Sequence, residues 1–258
     1  MGRTSKRVRI AAGTLLFVGF AAALAVAQTL PAKPGLLTAA VTQPAGPAAP
    51  GLQNFRAGAQ AALYVPASVK PGEPAPFLLL LHGAGGKGGD MIRWFRAEAD
   101  RRGIVLLAPD SARKTWDAVV EVSHGRQPAF GEDVPRIDAA MKEAFARVAV
   151  DPKRMAVAGF SDGAGYALSL GVRNSAMFQN TMAFSAGLMV AGETGPPSHI
   201  FISHGDKDRV LPIAISRDTL APALRQAGFK VTFVQFHGDH ELPDNILDHA
   251  LDDWLGPT

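Results

Sequence analysis

The chain has no cysteine, so no disulfide and no thiolate ligand contributes to its stability or chemistry. A hydrophobic core must therefore hold it together, and 47% hydrophobic residues over 258 positions are enough to build one. Acidic residues are missing from the first 72 positions, the earliest being Glu73. That stretch carries Arg3, Lys6, Arg7 and Arg9, and subtracting these four from the formal charge of +3 leaves −1. The remaining chain is thus close to neutral. It has no dense Lys/Arg stripe of the kind a phosphate backbone selects, which excludes nucleic acid as the expected partner.

Residues 10–27 are apolar, rich in small side chains and end in Ala25-Val26-Ala27. A basic start, an apolar run and a small-residue end predict a signal peptide over 1–27, cleaved before Gln28; an uncleaved membrane anchor is the alternative. Either form implies a secreted or periplasmic domain. Residues 28–54 are dominated by Pro, Ala and Gly and read as a flexible linker. The functional domain is expected over 55–258.

Within it, short continuous apolar runs at 77–81, 104–109, 155–160, 180–185, 199–203 and 230–236 predict strands buried on both faces. Between them, apolar residues at spacings of three and four predict helices over 133–148, 164–173 and 246–255. A further helix over 213–227 is expected to be kinked or split by Pro222. Strands alternating with helices imply an α/β fold with a mostly parallel central sheet and helices on both faces. Chemistry in such a fold belongs at the carboxyl ends of the strands.

The sequence Gly159-Phe160-Ser161-Asp162-Gly163 matches G-x-S-x-G between a strand and a helix, the setting of a nucleophile elbow. A serine hydroxyl needs a base to remove its proton. In His237-Gly238-Asp239-His240-Glu241, His240 is the first choice and His237 the rival, whereas His249 falls inside a helix. The base needs a carboxylate to fix its tautomer, and both Asp206 and Asp208 sit on the loop after the 199–203 strand. Either gives the chain order Ser, Asp, His. Two backbone donors are expected for an oxyanion: Asp162 N–H, and Ala84 N–H from the small-residue loop His82-Gly83-Ala84-Gly85-Gly86. His82 reads as a structural residue of that loop.

The combination LLLLHGAGG, GFSDGAGYALSL, HGDKDRVLP and FHGDHELP resembles the carboxylesterase/phospholipase-like branch of the α/β-hydrolases, which grades into polyhydroxybutyrate-depolymerase-like esterases. The similarity runs from about residue 59 to 255. It implies Asp208 as the acid and His240 as the base, with Val210-Leu211-Pro212 one residue longer than the family's step. It also implies ester hydrolysis through an acyl-enzyme, with no metal or organic cofactor. The expected partner is a small-molecule, lipid or polyester ester.

Trp116, Leu188 and Met189 follow other strand ends, and each has two readings, pocket wall or ordinary packing. Two competing functions stand beside the esterase. One is a metal-dependent hydrolase using the crowded His237, Asp239, His240, Glu241, Asp244 and His249. The other is a hydrolase-like binding protein without catalysis.

Overall fold

A computed structural model describes residues 34–44 and 49–257. The expected signal peptide lies outside the described residues. The sheet has eight strands: β1 (Gly51–Ala57), β2 (Ala59–Val65), β3 (Ala75–Leu81), β4 (Val105–Pro109), β5 (Val150–Phe160), β6 (Asn180–Phe184), β7 (His199–Gly205) and β8 (Lys230–Phe236). Their order is β1-β2-β4-β3-β5-β6-β7-β8. β2 runs antiparallel to both neighbours, β1 and β4, and every other pairing is parallel.

The helices are α1 (Gly88–Arg102), α2 (Asp117–Ser123), α3 (Asp133–Arg147), α4 (Asp162–Arg173), α5 (Ala221–Gln226) and α6 (Asp244–Leu255). Alternation along β3 sorts the core. Phe77, Leu79 and Leu81 pack with α3 residues Ile137, Met141 and Phe145. Leu78 and Leu80 face the opposite way, toward Met91, Ile92 and Phe95 of α1 and Leu247 and Leu251 of α6. Each of these side chains is buried, and burial of one Leu or Phe contributes roughly 1.5–3 kcal/mol. Covering both faces is what makes the central strands continuous apolar runs.

Pro222 acts as expected, by a defined route. The segment Ile215–Leu220 is π-helical, and Ala221 N–H donates to Ser216 O, five residues back. The wider turn relieves the clash a proline ring makes with the carbonyl four residues earlier.

The linker reading of 28–54 needs correction over its described part. Leu37 and Ala39 are buried against the core. Leu37 N–H donates to Asn174 Oδ1 at 2.9 Å, and Thr38 and Ala39 N–H both donate to Asp138 Oδ1, at 2.6 and 2.7 Å. Alternate side chains in the core and backbone donors on fixed acceptors hold this stretch in place. The folded domain also starts earlier than residue 55, because β1 begins at Gly51.

The chain turns back between β3 and β5. β3 leads through α1 to β4 on one side, and β4 leads through α2 and α3 to β5 on the other. The loops after β3 and β5 therefore open a crevice at the carboxyl edge of the sheet.

Candidate active site

The loop after β5 carries Ser161 at φ 57°, ψ −122°, a backbone conformation that side chains with a Cβ rarely adopt. Its neighbours explain how the turn closes. A Cβ on Gly159 would lie 2.1 Å from Gly163 O, and one on Gly163 would lie 2.1 Å from Leu81 O. Neither position has room for any other residue. Ser161 N–H donates to Phe184 O on β6 at 2.9 Å, which ties the strained residue to the sheet.

His240 comes from the loop between β8 and α6. Its Nε2 stands 2.8 Å from Ser161 Oγ, and its Nδ1 stands 2.7 Å from Asp208 Oδ2. Asp208, on the loop after β7, has a buried side chain, and its other oxygen accepts from Val210 N–H at 2.9 Å and Leu211 N–H at 2.8 Å. Burial alone would raise this carboxyl, but the hydrogen bonds from His240, Leu211 and Val210 outweigh it and hold it below the usual carboxylate range. An ionised Asp208 accepts from Nδ1–H, which leaves Nε2 free to accept the Ser161 proton.

The loops that carry His240 and Asp208 touch directly: a Cβ on Gly205 would lie 2.4 Å from Asp239 O. The rival residues pair with each other away from the serine, His237 Nδ1 lying 3.1 Å from Asp206 Oδ2 on an exposed surface. His249 is exposed on α6, its ring edge-on to Phe201. The three histidines of the metal-ligand alternative thus stand in three different environments.

A second imidazole reaches the same carboxylate. His204, fully buried at the end of β7, has Nε2 2.8 Å from Leu211 O and 3.1 Å from Asp208 Oδ2. A carbonyl only accepts, so Nε2 carries a proton. Sequence reasoning passed over His204, although its place in His204-Gly205-Asp206-Lys207-Asp208 was the available signal.

The loop after β3 lies against the serine, a Cβ on Gly83 meeting Ser161 Cβ at 3.3 Å. Among the described residues, neither Ala84 N–H nor Asp162 N–H has a hydrogen-bond partner. Burial lowers the His82 imidazole below its usual range, and its bonds specify one neutral tautomer. Nε2 accepts from Ser111 N–H at 3.1 Å and Nδ1–H donates to Gly83 O at 2.8 Å. The structural reading of His82 agrees with this.

A cleft of about 450 Å³ contains Ser161, His240 and Ala84, with Trp94, Met91 and Val210 among its walls. A neighbouring cavity of about 400 Å³ shares Trp94, Phe160 and His240 and adds Leu242, Leu247, Glu241 and Asp244. Trp94 and Phe160 meet edge to face at 5.4 Å, and Phe160 in turn packs on the His240 ring at 4.9 Å. Trp94 and Val210 are 51% and 63% exposed, so the cleft has an apolar rim.

The expected pocket residues are not among these walls. Trp116 is fully buried, stacked on Tyr166 at 5.1 Å, and its Nε1–H donates to His82 O at 2.8 Å. It supports the loop from behind instead of facing the cleft. Met189 lines a separate cavity with Phe130 and Arg173, and Leu188 packs on Gly165 of α4. Trp94 supplies the wall that the sequence reading sought there.

The sheet order, the elbow after β5 and the three converging loops define an α/β-hydrolase fold. The phospholipase/carboxylesterase family matches residues 66–252, and the chain belongs to it. It is 30% identical over 165 residues to feruloyl esterase C of Emericella nidulans, covering 60% of this chain and 57% of that protein. The chain thus spans little more than half the length of that relative. Among solved structures, esterase PE8 superposes with a TM-score of 0.58 at 24% identity, over 80% of this chain and 100% of that one. The Bacillus cereus carboxylesterase gives 0.59 at 19% identity, over 76% and 93%. At these identities both likenesses speak for the fold.

Proposed function

We propose that the protein hydrolyses carboxylic esters through an acyl-enzyme on Ser161. The observation that carries this reading is the unbroken line from Ser161 Oγ through His240 to Asp208, made of two hydrogen bonds of 2.8 and 2.7 Å. Ser161 Oγ attacks the ester carbonyl as its proton passes to His240 Nε2. The oxygen that becomes negative is met by Ala84 and Asp162 N–H, neither of which is bonded to another protein group among the described residues. Collapse expels the alcohol, which takes the proton from His240. A water then gives a proton to His240 and attacks the acyl carbon; Ser161 leaves with the proton and the carboxylic acid departs.

The exposed Trp94 beside Phe160 supports esters whose acyl or alcohol part is aromatic, and the feruloyl esterase relative points the same way. The basic, apolar and small-residue segments at the start of the chain support export. The test of activity is pre-steady-state release of p-nitrophenol from p-nitrophenyl acetate, alongside steady-state hydrolysis of methyl ferulate. A burst equal to the enzyme concentration and turnover of methyl ferulate are expected. No turnover of either ester would refute the proposal, and p-nitrophenyl acetate turnover alone would remove only the preference for an aromatic acyl part.

A further inference from the structure

We infer that Thr115 is a positioning residue that holds the two donors of the oxyanion hole in register. The two donors belong to different loops: Ala84 to the loop after β3, and Asp162 to the elbow after β5. Three consecutive residues of a third loop, between β4 and α2, bond to both. Lys114 O accepts from Gly85 N–H at 2.6 Å, and Trp116 Nε1–H donates to His82 O at 2.8 Å, so the Ala84 loop is gripped on each side of its donor. Between them, Thr115 Oγ1–H donates to Asp162 Oδ2 at 2.6 Å. Asp162 is the residue whose own N–H is the other donor.

The third loop is itself fixed. Ala112 N–H and Asp117 N–H donate to the two carboxylate oxygens of Asp133, the first residue of α3, at 2.7 and 2.8 Å. Asp117 Oδ2 in return accepts from Asp133 N–H at 2.7 Å. This reciprocal pair clamps the starts of α2 and α3 and gives the tripeptide a rigid base. Trp116 adds ring contacts to His82 at 4.9 Å and to Tyr166 of α4 at 5.1 Å. Of the three links, only the Thr115 hydroxyl reaches the elbow, and it alone can be removed with almost no change in shape.

An oxyanion hole acts by geometry, and loss of one donor costs about 10²–10³ in kcat. Thr115 touches no reacting atom, so its effect is that of a donor displaced and not deleted, roughly 10–100-fold. The displacement matters most where charge develops. The loss therefore falls on kcat and leaves KM nearly unchanged.

The inference rests on the esterase reading, and the experiment separates the two. Thr115→Val, Thr115→Ser and Ser161→Ala are assayed with p-nitrophenyl acetate. The inhibition constant of a trifluoromethyl ketone, whose adduct with the serine carries an oxyanion, is measured for both Thr115 variants. Thr115→Val is expected to lose 10–100-fold in kcat with KM within twofold, to bind the ketone more weakly by a similar factor, and to keep its melting temperature within a few degrees. Thr115→Ser, which restores the hydroxyl, is expected to recover to within threefold of wild type. Should the valine variant not fold, Thr115→Ala takes its place under the same criteria. Unchanged kcat and ketone affinity in a folded Thr115→Val protein would overturn the inference, as would a loss that Thr115→Ser fails to restore. Ser161→Ala at wild-type rate would instead overturn the esterase reading itself.

Discussion

Ser161→Ala is expected to lower kcat for p-nitrophenyl acetate by about 10⁶ while leaving the fold intact. The residue holds a strained backbone at φ 57° so that its hydroxyl meets His240. Alanine keeps the Cβ, so the backbone strain and the Gly83 and Gly159 contacts are unchanged; only the nucleophile is lost. What remains is catalysis by the oxyanion donors and the binding of the ester, a small residue of the whole. Steady-state kinetics on the purified variant check this, with near-ultraviolet circular dichroism confirming native packing. A loss of less than tenfold would mean that the hydrolysis runs elsewhere.

The second large effect is expected from Asp208→Asn, about 10⁴ in kcat. The two backbone donors at Val210 and Leu211 fix which side of the new amide is oxygen. The NH₂ group must then occupy the place of Oδ2, facing His240 Nδ1 and His204 Nε2. A donor at that place turns the His240 tautomer around, so that Nε2 holds the proton and cannot receive one from Ser161. The side chain keeps its shape, so packing is unchanged, and the new NH₂ also faces the Nε2–H of His204 without an acceptor there. Asp208 also adds to stability. Its carboxyl lies below the usual range, so its contribution is present above the unfolded-state pKa and is lost as pH falls through the folded one. Asp208→Asn should accordingly narrow its stability deficit on acidification, in denaturant melts followed from neutral to acid pH.

Much of the architecture was legible because burial writes itself into composition. Strands covered on both faces, such as 77–81 and 155–160, are continuous apolar runs with no competing pattern. The elbow was legible because Gly159 and Gly163 are sterically obligatory. β1 was not, since it is an edge strand that exposes Leu52, Asn54 and Arg56, and its pattern resembles loop. Residues 37–41 were hidden in a Pro/Ala/Gly background although Leu37, Ala39 and Val41 alternate there. α1 was passed over because charged residues crowd it, yet Met91, Ile92, Phe95 and Ala99 form an ordinary buried stripe. Finding that stripe would have set Trp94 off it, exposed and free to wall a cleft. Trp116 marks the other limit. Its place at a strand end could be read from the chain, but a bond from its indole to the His82 carbonyl depends on where two distant loops meet.

If Ser161 is a nucleophile activated by His240, an electrophile that traps serine must find it and depend on that imidazole. The most direct measurement is peptide mapping by mass spectrometry after treatment with a fluorophosphonate. A single phosphonyl adduct on the Ser161 peptide, formed at a rate that collapses in His240→Ala, is the predicted result. An adduct on another serine with Ser161 untouched, or labelling of Ser161 at equal rates in the two proteins, would contradict it.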